Sequence, residues 1–98
     1  MRFYVRTSSY QNSRMLNICD EDLLDRVVKK DDLEIKISKS YYGQRLVEKS
    51  EAEDLMRNSS IINIVGKETV EMSVELNVAS RAGVKVIDGV PFLIVFKM

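Results

Sequence analysis

The sequence predicts an α+β domain, an antiparallel or mixed sheet with helices mainly on one face, in the order β-β-α-β-α-α-β-β. Three observations carry that prediction. Residues 2–6 and 33–37 alternate polar and apolar side chains, the period-two signal of half-buried strands. Apolar residues recur at three- and four-residue spacing after Asp20 and again after Ser50, which is helical. Asp88-Gly89 separates two apolar runs near the C-terminus, the signature of a two-residue hairpin turn.

Each element has its own justification. In the first strand Phe3 and Val5 point one way, and Arg2, Tyr4 and Arg6 the other. The polar stretch Ser-Ser-Tyr-Gln-Asn-Ser-Arg then predicts a loop of several residues before Met-Leu-Asn-Ile-Cys returns as the second strand. Asp20 fits an N-cap, with Glu21 and Asp22 at the positive end of a helix dipole, so a short helix is expected over about 20–29. Leu33, Ile35 and Ile37 face inward on the next strand. Ser50 with Glu53 reads as a capping box that opens a helix running to about residue 64, where Gly66 stops it. A further helix follows over 67–77, with Asn77 as its stop. The run Phe-Leu-Ile-Val-Phe is apolar on both faces, which predicts a central strand, and Pro91 is tolerable at its start.

Composition bounds the chemistry. Ninety-eight residues, 45% hydrophobic and 31% charged, suit one soluble domain over residues 1–98. With no histidine and a single cysteine, Cys19, the chain lacks the usual neutral-pH base, the Ser-His and Cys-His nucleophile pairs, a disulfide framework and a multi-thiolate metal site. Cys19 is expected to be a small buried hydrophobe. No catalytic residue, metal site or cofactor is predicted. The N-terminus has no apolar run of signal-peptide length, and Val-Pro-Phe-Leu-Ile-Val-Phe is too short to span a membrane. A cytoplasmic protein without membrane contact is the expectation.

Net charge is zero, with 15 basic and 15 acidic residues, yet the charges are segregated. Residues 1–18 carry +3, 19–34 carry −4, 35–49 carry +3, 50–79 carry −4 and 80–98 carry +2. Phe3, Tyr4, Tyr10, Tyr41 and Tyr42 all lie in the two basic stretches of the first half. Arginines flanking an aromatic on an open strand face suit phosphate contact and base stacking. A polar strand face against solvent is the simpler account of Arg2, Tyr4 and Arg6. Asn63-Ile64-Val65-Gly66-Lys67 could cradle an anion on backbone amides, or Gly66 could merely stop a helix. Asp20, Asp22 and Asp25 lack the glycine and terminal glutamate of a calcium loop.

An N-terminal hairpin, the acidic Cys-Asp-Glu-Asp-Leu-Leu-Asp-Arg-Val segment, Leu33 to Gly43, Ile62 to Val78 and the closing Val84 to Pro91 occur in this order. In that order and spacing the chain resembles the small archaeal proteins of domain-of-unknown-function family 424. Members have at times carried an RNA-binding label. The family pattern has an aromatic-Tyr-Gly-Gly block, an Asn-x-Val-Gly block and a Gly-x-Pro-His block. Tyr41, Tyr42 and Gly43 match the first, with Gln44 in place of the second glycine; Asn63, Val65 and Gly66 match the second; Gly89 and Pro91 match the third, with Phe92 in place of histidine. The missing histidine favours binding over catalysis.

The leading expectation is therefore an RNA- or ribonucleoprotein-binding module that uses Arg2, Tyr4, Arg6, Lys36, Lys39, Tyr41, Tyr42 and Arg45. An assembly subunit, for instance a homodimer through the C-terminal hairpin, is the alternative. A third reading is a small-molecule or enzyme pocket in which the Tyr41–Gly43 loop meets the Asn63–Lys67 turn, with Gly43, Asn63, Gly66 and Lys67 as the anion or loop site. One of Tyr41 and Tyr42 should pack inward and anchor the loop, with the other at least partly exposed beside Lys39 or Arg45.

Overall fold

A computed structural model describes residues 1–97. The chain forms β1 (Arg2–Tyr10), β2 (Ser13–Asp20), β3 (Val27–Lys30), β4 (Leu33–Lys36), α1 (Lys39–Tyr42), β5 (Arg45–Glu48), α2 (Lys49–Arg57), β6 (Ile61–Val65), α3 (Lys67–Glu75), β7 (Lys85–Ile87) and β8 (Val90–Phe96). Six strands make one mixed sheet in the order β5-β1-β2-β6-β8-β7, while β3 and β4 form a separate hairpin. The α+β class with a mixed sheet holds. The number and order of elements differ from the expectation in several places, each for a physical reason.

The first hairpin is tighter than predicted. Gln11 and Asn12 both adopt left-handed backbone, with φ of 48° and 67°, so β1 and β2 pair from Phe3 against Asp20 out to Tyr10 against Ser13. The helix expected over 20–29 is only a single 3-10 turn, Glu21–Leu23. The Asp20 side chain makes no cap bond to that turn; it is spent elsewhere, as described below. Asp25 at φ 68° then redirects the chain, and Val27 and Val28 enter a strand that suits β-branched residues. The helix expected to reach residue 64 ends at Arg57. Ile61, Ile62, Ile64 and Val65 form β6 instead, parallel to β2 and antiparallel to β8. The capping box is absent as well: the N-cap position is Glu48, with no side-chain cap bond. Gly66 starts α3 and does not stop α2.

The C-terminal hairpin turns at Asp88 and Gly89, with φ of 54° and 77°, as the Asp-Gly pair predicts. Asn77, at φ 58°, ends the last helix as expected. Both α1 and β5 are additions; β5 is a short edge strand paired with β1 over Arg2 to Val5. Beyond that pairing the Thr7 amide donates to Gln44 Oε1 at 3.1 Å, so Gln44 satisfies a strand-edge donor.

The two sheet faces have different cover. On the first, Phe3, Val5, Leu16, Ile18, Val47, Ile62, Ile64, Leu93 and Val95 pack beneath α2 and α3 with Ala52, Met56, Val70 and Met72. On the second, Cys19, Val65, Tyr4 and Phe92 pack with Leu23, Val28, Ile37 and Tyr42 from the β3–β4 hairpin and α1. That second cover extends over only one end of the sheet. No helix among the described residues is long and apolar enough to cross a membrane.

Candidate functional site

Strand register sets out the second face row by row. Tyr4, Cys19, Val65 and Phe92 align across β1, β2, β6 and β8, under cover. The next row is Arg6, Asn17, Asn63 and Ile94, and the last is Ser8, Met15, Ile61 and Phe96. These two rows, with Tyr10 beyond them, form an open platform. Ile94 is 58% exposed, Tyr10 59% and Phe96 69%. A shallow depression of about 320 Å³ is lined by Tyr10, Met15, Ile61, Asn63, Ile94 and Phe96. The two open rows contain one cation, Arg6, and no carboxylate.

One polar network crosses the platform. Asn63 Nδ2 donates to Asn17 Oδ1 at 2.7 Å, and Asn17 Nδ2 donates to the Tyr41 carbonyl at 3.1 Å. Asn17 thereby links α1 to β6, standing between the Tyr41 and Asn63 segments. The Gly66 end of the same segment lies elsewhere. The Asp20 carboxylate accepts from the Glu68 amide at 3.1 Å, the Thr69 amide at 2.8 Å and the Thr69 hydroxyl at 2.6 Å. The start of α3, which could have held an anion, is thus filled by the chain's own carboxylate. Gly66 permits this: at φ 111°, a Cβ there would lie 2.3 Å from the Asp20 carboxyl carbon. Its amide donates to the Pro91 carbonyl at 2.9 Å.

The residues singled out from sequence therefore separate. Arg6 and Asn63 lie on the platform, and Tyr41 at its border. Tyr41 is 49% exposed and Tyr42 8%, the split expected of one anchored ring and one free ring, and they meet edge-on with centroids 5.2 Å apart. Tyr4 is half-buried in the second core. Arg2 is ion-paired with Glu21 at 2.7 Å. Arg45 is ion-paired with Glu51, and its register opposite Val5 turns it to the helix-covered face. Lys36 and Lys39 are exposed, at the end of β4 and the start of α1. Gly43 closes α1 by donating to the Lys39 carbonyl at 2.7 Å, where a Cβ would crowd Lys39 at about 3.0 Å. Lys67 is exposed at the start of α3.

Sequence reasoning missed Asn17, Tyr10, Met15, Ile61, Ile94 and Phe96. Two signals were present. Asn17 is a lone amide inside an apolar strand, and Phe-Leu-Ile-Val-Phe is apolar on both faces. The second pattern arises because β8 puts one face in the core and leaves the end of the other open, in a strand second from the sheet edge.

Acid–base chemistry is poorly served here. Burial, with Asp20 and Asp22 nearby, pushes the Cys19 thiol up to about 12. Burial, with Tyr41 and Cys19, likewise pushes the Tyr42 phenol up to about 12. Neither ionises near neutrality. No cluster of three or more metal-ligand side chains occurs among the described residues.

Fold and site together define a small mixed-sheet α+β protein with one helix-covered face and one half-open face. The chain belongs to the family described as Protein of unknown function (DUF424), whose model matches residues 7–98. It is also similar to the crystal structure of an uncharacterized conserved protein from Methanopyrus kandleri, with a TM-score of 0.81, 20% identity, and coverage of 100% of this chain and 95% of that one. That likeness is one of fold. Comparison with curated proteins finds no match.

Proposed function

We propose that the protein binds single-stranded RNA, free or in a ribonucleoprotein, on the open half of its second sheet face. One observation carries the reading: the open end of this face holds no carboxylate in its two free rows, exposes Phe96 and Tyr10 to solvent and includes the cation Arg6. Every base has a π-face, so aromatic side chains on an open sheet accept bases with little regard to sequence. Arg6, with Lys39 on the bordering helix, supplies phosphate contacts. Arg2 and Arg45, held by Glu21 and Glu51, are not part of it. Cytoplasmic RNA is the pool this reading implies.

The test is a filter-binding titration against tRNA and single-stranded RNA at low and high salt. Stacking is worth about 1–3 kcal/mol per base, so Phe96→Ala should weaken binding about tenfold. With two cations in contact, the logarithmic salt slope should be shallow, about −1.4 at about −0.7 per phosphate for a single strand. No binding at low salt would refute the proposal.

The same apolar side chains support a second reading, an assembly subunit, because exposed apolar patches mark protein contacts. Ile94 and Phe96 on β8 are the observation that favours it. Size-exclusion chromatography with light scattering separates the two, and a monomer at high concentration counts against self-association.

A further inference from the structure

The helix-covered face has an open end of its own. Thr7 stands opposite Leu16 and Ser9 opposite Arg14, while Arg45 stands opposite Val5. Side chains alternate along a strand, so all four point to the side on which Val5 and Leu16 are buried. With Ser8 and with Leu55 of α2 they line a cleft of about 310 Å³. The cleft opens on a bare strand edge. β5 pairs with β1 only from Arg2 to Val5. Thr7 directs its amide to that edge, where Gln44 Oε1 accepts it. Ser9, two residues on, turns its amide to the same edge, past the end of β5. No carboxylate lines the cleft. Arg14 has no ion pair among the described residues, and its carbonyl accepts from the Ser60 amide at 2.9 Å, which ties it to the loop between α2 and β6. Glu51 holds Arg45 through Nη1, and a guanidinium has five N–H donors, so Arg45 keeps others.

We infer that this cleft binds a phosphate monoester, carried by a small molecule or by the 5′ end of an RNA. Two guanidiniums, two hydroxyls and a strand-edge amide bring hydrogen-bond donors to one place. A monoester carries about −1.5 to −2 charges at neutral pH and accepts at three oxygens. Arg14 and Arg45 hold it from either side of β1, because planar guanidiniums match phosphate oxygens two at a time. Thr7 and Ser9 meet the remaining oxygen, and Leu55 offers an apolar wall to whatever carries the phosphate. The cleft lies on the opposite face from Phe96 and does not depend on the RNA platform proposed above.

The experiment is an amide-resolved NMR titration of the full chain with inorganic phosphate, set against potassium chloride of equal ionic strength. Phosphate should shift the Ser9 and Arg14 amides, and chloride should not. Arg14→Gln should weaken phosphate about tenfold, the worth of one charged hydrogen bond, with the urea midpoint unchanged because Arg14 is exposed. Arg45→Gln should act in the same direction. Adenosine 5′-monophosphate should shift the same amides, and adenosine should not. Short oligoadenylate with and without a 5′-phosphate then separates the sources. A tenfold preference for the phosphorylated oligomer that Arg14→Gln abolishes assigns the RNA end, and monophosphate binding without that preference assigns a small molecule. Phe96→Ala should leave phosphate binding unchanged, so the RNA platform and this cleft fail separately. Shifts that chloride reproduces, or phosphate binding unaltered in both Arg14→Gln and Arg45→Gln, would overturn the assignment.

Discussion

Gly66→Ala should be among the costlier small substitutions in this chain, and Asp20→Ala should make it cheaper. At φ 111° a Cβ is strained, and it would lie 2.3–2.6 Å from three atoms of the Asp20 carboxyl. The backbone strain alone is worth about 2 kcal/mol. The methyl also expels the carboxylate from the Glu68 amide and from the Thr69 amide and hydroxyl. Losing a helix cap costs about 1 kcal/mol. Orphaning the buried Thr69 hydroxyl adds about 2 kcal/mol. Gly66→Ala should therefore cost about 5 kcal/mol and Asp20→Ala about 3 kcal/mol. In the double variant the clash is gone and the cap is lost only once, so the total is about 5 kcal/mol, not the additive 8. Urea unfolding followed by circular dichroism measures all three. Additivity within about 0.5 kcal/mol, or a Gly66→Ala cost below about 1 kcal/mol, would refute the account of Gly66 as the space that lets Asp20 reach α3.

Three further outcomes are expected. Tyr42→Ala should destabilise the fold by about 3–4 kcal/mol and Tyr41→Ala by no more than about 1 kcal/mol, the worth of an edge-on ring contact; equal costs would remove the distinction between anchor and border ring. Cys19 and Tyr42 both have thiol and phenol groups raised to about 12 in the fold. The unfolded chain ionises first, so stability is complete below about pH 9 and falls as pH climbs toward 12; urea midpoints should follow that course, and Tyr42→Phe should flatten it. Gln44→Gly should cost about 1 kcal/mol by stripping the Thr7 amide of its acceptor, and faster hydrogen exchange at that amide is the direct readout.

Strands with one buried face were legible in the sequence. Phe3, Val5 and the Asp88-Gly89 turn come out as alternation and turn chemistry require. The failures share a cause: tertiary demand overrode local signals. Asp20 has the residue type and flanks of a cap for its own segment, yet it caps a helix that begins nearly fifty residues later. Ile61 to Val65 continue a helical spacing, but four β-branched residues fill a gap between β2 and β8 that only a strand can fill. Part of the site was legible through Arg6, Tyr41 and Asn63. The rest was hidden because strand order, which local pattern does not encode, decides that Asn17 lies between Arg6 and Asn63.

The sheet has a seam. Strands β5, β1 and β2 all come from the chain before α2, and β6, β8 and β7 all come from after it. Each trio is antiparallel within itself. Within the sheet the two trios join where β2 runs parallel to β6, and the Asn17–Asn63 bond across that line spans 46 residues. The candidate surface straddles the seam, with Arg6, Asn17 and Met15 from one half and Asn63, Ile61 and Phe96 from the other. Neither half carries the surface alone, so any ligand that grips it also clamps the two halves of the chain together.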